Sequence, residues 1–392
     1  METRRKSVPR KNIAKKSAGS GIIQKGKMDI GFFALVTSLL TIGLLMLFSS
    51  SYAYALAYFG DSYHFIKKQA LFAVVGFVLM ILISKINYHI YRRFAWIIYI
   101  ISAIMLFALL ILPPMVEGAT QKRWMVIGPI NFQPSEIGKF AIILLFSHLI
   151  AANYKQMKTF KFSVVILGAL LALVCGLVVL ETHLSATILI FCIGVCLMIV
   201  GGLKGRYIGG GAAIGVGGVA LMITTGIVGY GSDRFKYWLD PWADARGKGY
   251  QTIQSLLAIG SGGLLGRGFG LSRQKYLWVP EPHNDFIFAI VCEELGLIGA
   301  MVIILLFCAL VWRGFMIAMR ATDKFGTLMA VGLTFQVGLQ AILNILVVTN
   351  TIPNTGISLP FFSYGGTALI LLMAQMGIVL SISRSSNIEK SN

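Results

Sequence analysis

Residues 163–202 read SVVILGALLALVCGLVVLETHLSATILIFCIGVCLMIVGG. Two apolar runs are separated only by the turn Glu181, Thr182, His183 and Leu184, and each has the roughly 18 residues needed to cross a hydrocarbon core as a helix. The segment therefore reads as a membrane-spanning helical hairpin with a very short outer turn. The same pattern recurs outward from it, near residues 30–50, 68–85, 94–113, 133–151, 206–227, 285–312, 325–348 and 362–383. The expected fold is all-α and polytopic, with about ten transmembrane helices.

Composition supports this and excludes a soluble domain. The chain has 392 residues, 57% apolar and 12% charged, with mean hydropathy +0.79; soluble domains carry about a quarter of charged residues. The net charge of +19 sits in short clusters between apolar spans, which fits membrane topology and not nucleic acid. With the N-terminus inside, 22 of the 34 Lys and Arg fall in cytoplasmic segments and 11 outside, which puts both termini in the cytoplasm. Residues 1–27 read as a basic, disordered cytoplasmic tail without a cleavage pattern, 28–384 as one transmembrane domain, and 385–392 as a second tail. Cys175, Cys192, Cys196, Cys292 and Cys308 all lie in apolar segments without ligand spacing and read as small hydrophobes.

One outer segment, about 228–284, breaks the pattern by its length and holds seven basic residues and three of the six tryptophans. Long connections in compact membrane bundles are usually functional. The seventh span is glycine-rich, which suits close helix packing. The runs Gly260-Ser-Gly-Gly263 and Gly266-Arg-Gly-Phe-Gly270 lack a phosphate-loop pattern; they read as flexible turns, with Arg267 able to face a phosphate.

Only 15 acidic residues exist, and carboxylates near or within a membrane are costly enough to need a partner or a job. Glu136 and Lys139, at i and i+3, can neutralise one another or line an anionic substrate groove. Lys122, Arg123 and Trp124 offer two cations and an aromatic at the surface, suited to a lipid-linked phosphate and a sugar face or to simple interface anchoring. Glu181 and His183 read as polar turn chemistry, since further metal ligands are missing nearby. In Pro280-Glu-Pro-His-Asn-Asp285 a rigid turn opens into an apolar helix, so Asp285 is either a helix cap or a carboxylate at the outer boundary. Glu293 and Glu294, two turns deeper, read as structural polar groups.

These stretches, taken together with Phe132-Gln-Pro-Ser-Glu136, Asp240-Pro-Trp242, Gly249-Tyr-Gln251, Gln254-Ser-Leu256, Glu293-Glu-Leu-Gly296 and Leu359-Pro-Phe-Phe-Ser-Tyr-Gly-Gly366, resemble the SEDS family of peptidoglycan polymerases in order as well as content. The resemblance runs from about residue 30 to 384, and Ser272–Glu281 looks more like the FtsW and SpoVE branch than RodA. It implies polymerisation of lipid II into glycan strands by inverting β(1→4) transfer at the outer face of the bacterial cytoplasmic membrane, at the division septum. It also implies a class B penicillin-binding protein and other divisome proteins as partners. Asp285 matches the family's essential carboxylate, although Asn284 stands where threonine is common and Glu181-Thr182-His183 departs from a frequent Pro-Asp pattern. In that role Asp285 is the general base, and one carboxylate suffices for an inverting displacement.

Candidates for contact with substrate are Lys122, Arg123, Trp124, Glu136, Lys139, Arg234, Gln251, Ser255, Arg267, Lys275, His283 and Ser363. The leaving pyrophosphate needs cations, drawn from Arg123, Lys122, Arg267 and Lys275 or from a divalent ion such as Mg2+ or Mn2+. No nucleotide or organic cofactor is expected. Competing readings are a lipid II flippase, which should gather its charges near the bilayer midplane, and a noncatalytic division scaffold, in which Asp285 is dispensable.

Overall fold

The computed structural model describes residues 26–112, 123–127, 130–207, 209 and 236–388. Helices α1 (Ile30–Phe59), α2 (His64–Ser84), α3 (Tyr91–Ile111), α4 (Pro134–Ala152), α5 (Leu167–Leu180) and α6 (Leu184–Val200) form the first half of the bundle. A short hairpin of β1 (Met125–Ile127) and β2 (Ile130–Phe132) leads into α4. The second half comprises α7 (Tyr250–Gly262), α8 (Ile287–Met319), α9 (Lys324–Val348) and α10 (Gly366–Ile388). Among the described residues, eight helical stretches are long and apolar enough to cross a membrane, and the 17-residue α6 is a shorter apolar helix beside them. The protein is thus a multi-pass membrane protein. Most of the expected seventh span, 206–227, lies outside the described residues, as do the tail residues 1–25 and 389–392.

Helices α4 and α9 form the centre, with α3, α5 and α6 on one side and α1, α2, α8 and α10 on the other. Central position explains their composition: Ala141 to Phe146 on α4 are fully buried, whereas α2 and α3 expose one apolar face, the face lipid covers. Asp29 caps α1 by accepting from Phe32 N at 2.9 Å. Pro134 at the first turn of α4 gives up a donor that no helix start could use. Three boundaries differ from the sequence expectation: α1 runs to Phe59, α8 to Met319 and α10 to Ile388, because apolar periodicity does not mark where a helix leaves the bilayer.

Residues 236–284 of the long outer segment are described. They contain α7 and a short 3-10 turn, Pro241–Asp244, capped by Asp240. Helix α8 is broken at Gly296 (φ 66°, ψ −170°), and the segment after α7 fills the break. Arg267 N and Gly268 N donate to Glu293 O and Glu294 O at 2.9 and 3.0 Å, while Leu297 N and Ile298 N donate to Gly263 O and Leu264 O at 2.9 and 3.1 Å. A Cβ on Gly266 or Gly296 would lie 2.2 Å from backbone atoms of the other strand of this contact. Within the glycine runs expected to be flexible turns, Gly262 and Gly266 are therefore close packing, since a Cβ on either would meet the α8 backbone at 2.0 and 2.2 Å, whereas Gly260, Gly263 and Gly270 have open space around them.

Candidate functional site

A cleft of about 890 Å³ opens where the outer ends of α2, α4, α8, α9 and α10 converge. Lys68, Arg123, Glu136, Glu281, Asp285 and Gln340 are among the polar groups lining it. Neighbouring segments build the turn that carries Asp285. Asn344 Nδ2 donates to Asp285 O at 2.7 Å and to Ile357 O at 2.6 Å. Ser363 Oγ donates to Asn284 O at 2.8 Å, and Tyr364 N to His283 O at 2.9 Å. Three of these bonds take main-chain oxygens of the turn, those of His283, Asn284 and Asp285. The backbone is fixed and the Asp285 side chain is left to the cleft.

The capping alternative fails on geometry. The N-cap of α8 is Phe286, without a side-chain cap bond, and the Asp285 carboxylate accepts no hydrogen bond from a described residue. Burial and the nearby Glu281 push its pKa up to about 6, against the opposing pull of Arg123. A carboxylate without a partner, titrating near neutrality, is suited to accepting a proton.

Around it, Lys139 Nζ is 2.8 Å from Glu136 Oε1 and donates to Gln340 Oε1 at 3.1 Å. The pair is formed, with Lys139 buried and Glu136 facing the cleft. Arg123 Nη2 donates to Thr182 O, so the β-hairpin is tied to the α5–α6 turn. In that turn Glu181 is buried with both oxygens lacking a hydrogen bond, and burial raises its pKa to about 8 despite Arg123. His183 and Trp124 also line the cleft. Gln133 Nε2 lies 3.3 Å from His183 Nδ1.

Other sequence candidates lie elsewhere. Lys275 is buried against Glu294 at 3.0 Å and also donates to Gly270 O and Ser49 Oγ. Arg267 Nε reaches Ser261 Oγ at 3.3 Å and lies 3.6 Å from Glu293. Both cations hold the loop in the α8 break, because the carboxylates there need counter-charge more than an exposed phosphate would. Ser255 Oγ is spent on Val348 O at 2.8 Å, and Gln251 accepts from Asn354 at 3.2 Å. None of these four lines the cleft. His283 is buried among Tyr54, Phe65 and Tyr364, and burial lowers its pKa to about 4, so it is neutral packing. Ser363 lines the cleft with its hydroxyl already engaged. Lys122 and Arg234 fall outside the described residues.

Sequence reasoning missed Lys68, an exposed cleft cation whose described polar partner is His64 at 3.1 Å. Its signal was present: Lys67 and Lys68 are positive charges on the outer side, against the usual distribution.

A family model described as "Cell cycle protein", for FtsW, RodA and SpoVE, matches residues 30–388. Stage V sporulation protein E of Bacillus subtilis (strain 168) is 36% identical over 375 residues, covering 93% of this chain and 99% of the relative. A probable peptidoglycan glycosyltransferase FtsW of Geobacter sp. (strain M18) is 33% identical over 362 residues, covering 91% and 96%. Among solved structures, one described as "Structural coordination of polymerization and crosslinking by a peptidoglycan synthase complex" superposes with TM-score 0.74 at 26% identity, over 92% of this chain and 98% of that one.

Proposed function

The chain belongs to the cell cycle protein family of FtsW, RodA and SpoVE, and on that premise we propose that it is a peptidoglycan glycosyltransferase that polymerises lipid II at the outer face of the bacterial cytoplasmic membrane. The observation that carries this reading is the Asp285 carboxylate, which accepts no hydrogen bond from a described residue, in a cleft whose rim holds Lys68 and Arg123. A flippase would gather its charges near the bilayer midplane, and these lie at the outer helix ends.

Asp285 removes the proton from the 4-hydroxyl of the acceptor GlcNAc as that oxygen attacks the anomeric carbon of the donor. The bond to lipid pyrophosphate breaks, configuration inverts, and a single carboxylate serves. Lys68 and Arg123 bind the leaving pyrophosphate and offset its charge. The fixed backbone of 283–285 keeps the base in one position through each turnover.

No three His, Cys, Asp or Glu side chains converge to hold a metal among the described residues. Glu281 and Asp285 nevertheless match the one or two carboxylates that Mg2+ or Mn2+ takes when substrate phosphates and water complete its shell. Such an ion would neutralise charge on the leaving group. A crosslinking partner of the class B penicillin-binding type fits the family's assembly with transpeptidases, and the likeness to FtsW and SpoVE supports work in septal synthesis.

The test is glycan synthesis from purified lipid II by the reconstituted protein, with and without the crosslinking partner, between about pH 5 and pH 8. Polymer is expected. Because the base works ionised, kcat/KM should rise with pH through about 6 and level off above it, and Glu281→Gln should move that rise to lower pH by removing a neighbouring negative charge. Absence of polymer in both conditions would overturn the assignment. Lys68→Gln is expected to raise KM for lipid II about ten-fold or more, the loss of one charge-assisted bond, and to lower kcat as well, because the departing pyrophosphate loses a counter-charge. An unaltered KM would remove Lys68 from the pyrophosphate site.

A further inference from the structure

We propose that the cytoplasmic ends of α5 and α6 form a binding site for an anionic phospholipid of the inner leaflet. The site is at the opposite end of the bundle from the cleft. The α4–α5 connection begins with the 3-10 turn Tyr154–Lys158. Side chains three apart in such a turn lie on one side, so Lys155 and Lys158 project together, and Lys161 opens the next helical turn after the extended Thr159. All three are exposed, while Met157 is fully buried beneath them. The connection is ordered by Gln156 N to Asn153 O and Thr159 N to Gln156 O, both 2.8 Å, and by Ser163 Oγ to Thr159 O at 2.7 Å.

A second basic loop is fastened to the first. The rings of Phe160 and Tyr207 meet edge to face at 5.4 Å. Tyr207 also carries Arg206, whose guanidinium donates to its hydroxyl at 2.7 Å. Lys204 and Arg206 thereby join the three lysines. Lys324 lies over the Tyr154 ring at 3.0 Å to its centroid and adds positive charge from the start of α9. Residues 153–161 and 201–207 contain no acid, and among the described residues no carboxylate pairs with Lys155, Lys158, Lys161, Lys204 or Arg206. The nearest acid in sequence to Lys324, Asp323, is occupied by Tyr88 Oη at 2.5 Å and Gly326 N at 3.3 Å.

The apolar half of a lipid is matched as well. Phe160 is exposed beside the cations, and Val165 and Ile166 at the start of α5 and Ile199 and Val200 at the end of α6 are exposed directly beyond them. The phosphate of a phosphoglyceride would meet the five cations, and its acyl chains would follow these side chains into the bilayer. Basic pockets between helices on the cytoplasmic side have this chemistry. A soluble anion would leave the apolar half unused, and the general excess of cytoplasmic charge does not require two ordered loops stacked through aromatic rings.

The experiment is native mass spectrometry of the purified full-length protein with added dioleoyl phosphatidylglycerol or dioleoyl phosphatidylcholine. The anionic lipid should give the more abundant adducts. Lys155→Gln, Lys158→Gln, Lys161→Gln, Lys204→Gln and Arg206→Gln combined should lower its apparent affinity at least about ten-fold, a modest fraction of the gain expected for five cations near a charged lipid. A control set, Lys85→Gln, Arg93→Gln and Arg320→Gln, removes exposed charge from the same membrane face elsewhere and should leave affinity within about two-fold. Equal adducts for both lipids, an equal loss in the control set, or protection by millimolar inorganic phosphate overturns the lipid site. A melting midpoint of the five-residue variant equal to wild type in lipid-free detergent confirms that the comparison is between folded proteins.

Discussion

Asp285→Asn is expected to lower lipid II polymerisation by at least about 100-fold, the usual contribution of a positioned general base, without lowering the melting midpoint. The two halves of that expectation have separate physical origins. Activity falls because an amide cannot take the acceptor's proton, and no other cleft carboxylate is held on the same rigid turn: Glu136 is paired with Lys139, and Glu281 accepts from Asn284 at 2.9 Å. Stability is preserved because the carboxylate neither caps α8 nor pairs with a described residue, while the bonds that fix the turn use main-chain oxygens. Removing a buried charge that repels Glu281 should hold the midpoint level or raise it. Polymer synthesis from purified lipid II and thermal unfolding in the same detergent measure both. A folded variant that polymerises at the wild-type rate ends the general-base assignment, and an unfolded one ends the claim that the side chain is structurally idle.

The second large effect concerns Lys275. Its ammonium lies 3.0 Å from Glu294 Oε1, and both side chains are buried. Lys275→Met keeps the length of the stem and deletes the charge, leaving Glu294 with Ser49 Oγ at 2.7 Å and the amides of Gly270 and Ser272 at 3.0 and 3.4 Å. Breaking a buried pair from one side costs about 3–5 kcal/mol. The unfolding midpoint in detergent should drop accordingly, and adding Glu294→Gln in the same chain should recover part of the loss. A substrate-binding lysine would behave in the opposite way, with KM raised and the midpoint unmoved, so one pair of measurements separates the two roles.

The architecture was legible in the sequence because uninterrupted apolar runs carry their own length scale. Residues 163–202 announce a hairpin in the bilayer without reference to any neighbour, and α5 and α6 fall where that reading puts them. The turn that carries Asp285 was legible for a similar local reason, as prolines halt the chain just before an apolar helix begins, but the residues alone left Asp285 open between helix cap and free carboxylate. What the sequence withheld depends on contacts between distant segments. Lys275 and Lys68 are both lysines in outer connections, and nothing local distinguishes the one buried against Glu294, 19 residues away, from the one that lines the cleft. Ser255 likewise looks available until its hydroxyl is found on Val348 O, 93 residues distant. The glycine runs were misread because a glycine that permits motion and one that permits close approach look the same in one dimension.

The break at Gly296 divides α8 mechanically. The nine residues Ile287–Leu295 bear Asp285 at their outer end, and the loop after α7 grips them through Glu293 and Glu294 and through main-chain bonds on both sides of the break. This short outer piece of α8 is therefore clamped at both ends, by the loop at its inner end and by Asn344, Ser363 and Tyr364 on the turn at its outer end, so the position of the carboxylate is inherited from two separate parts of the bundle.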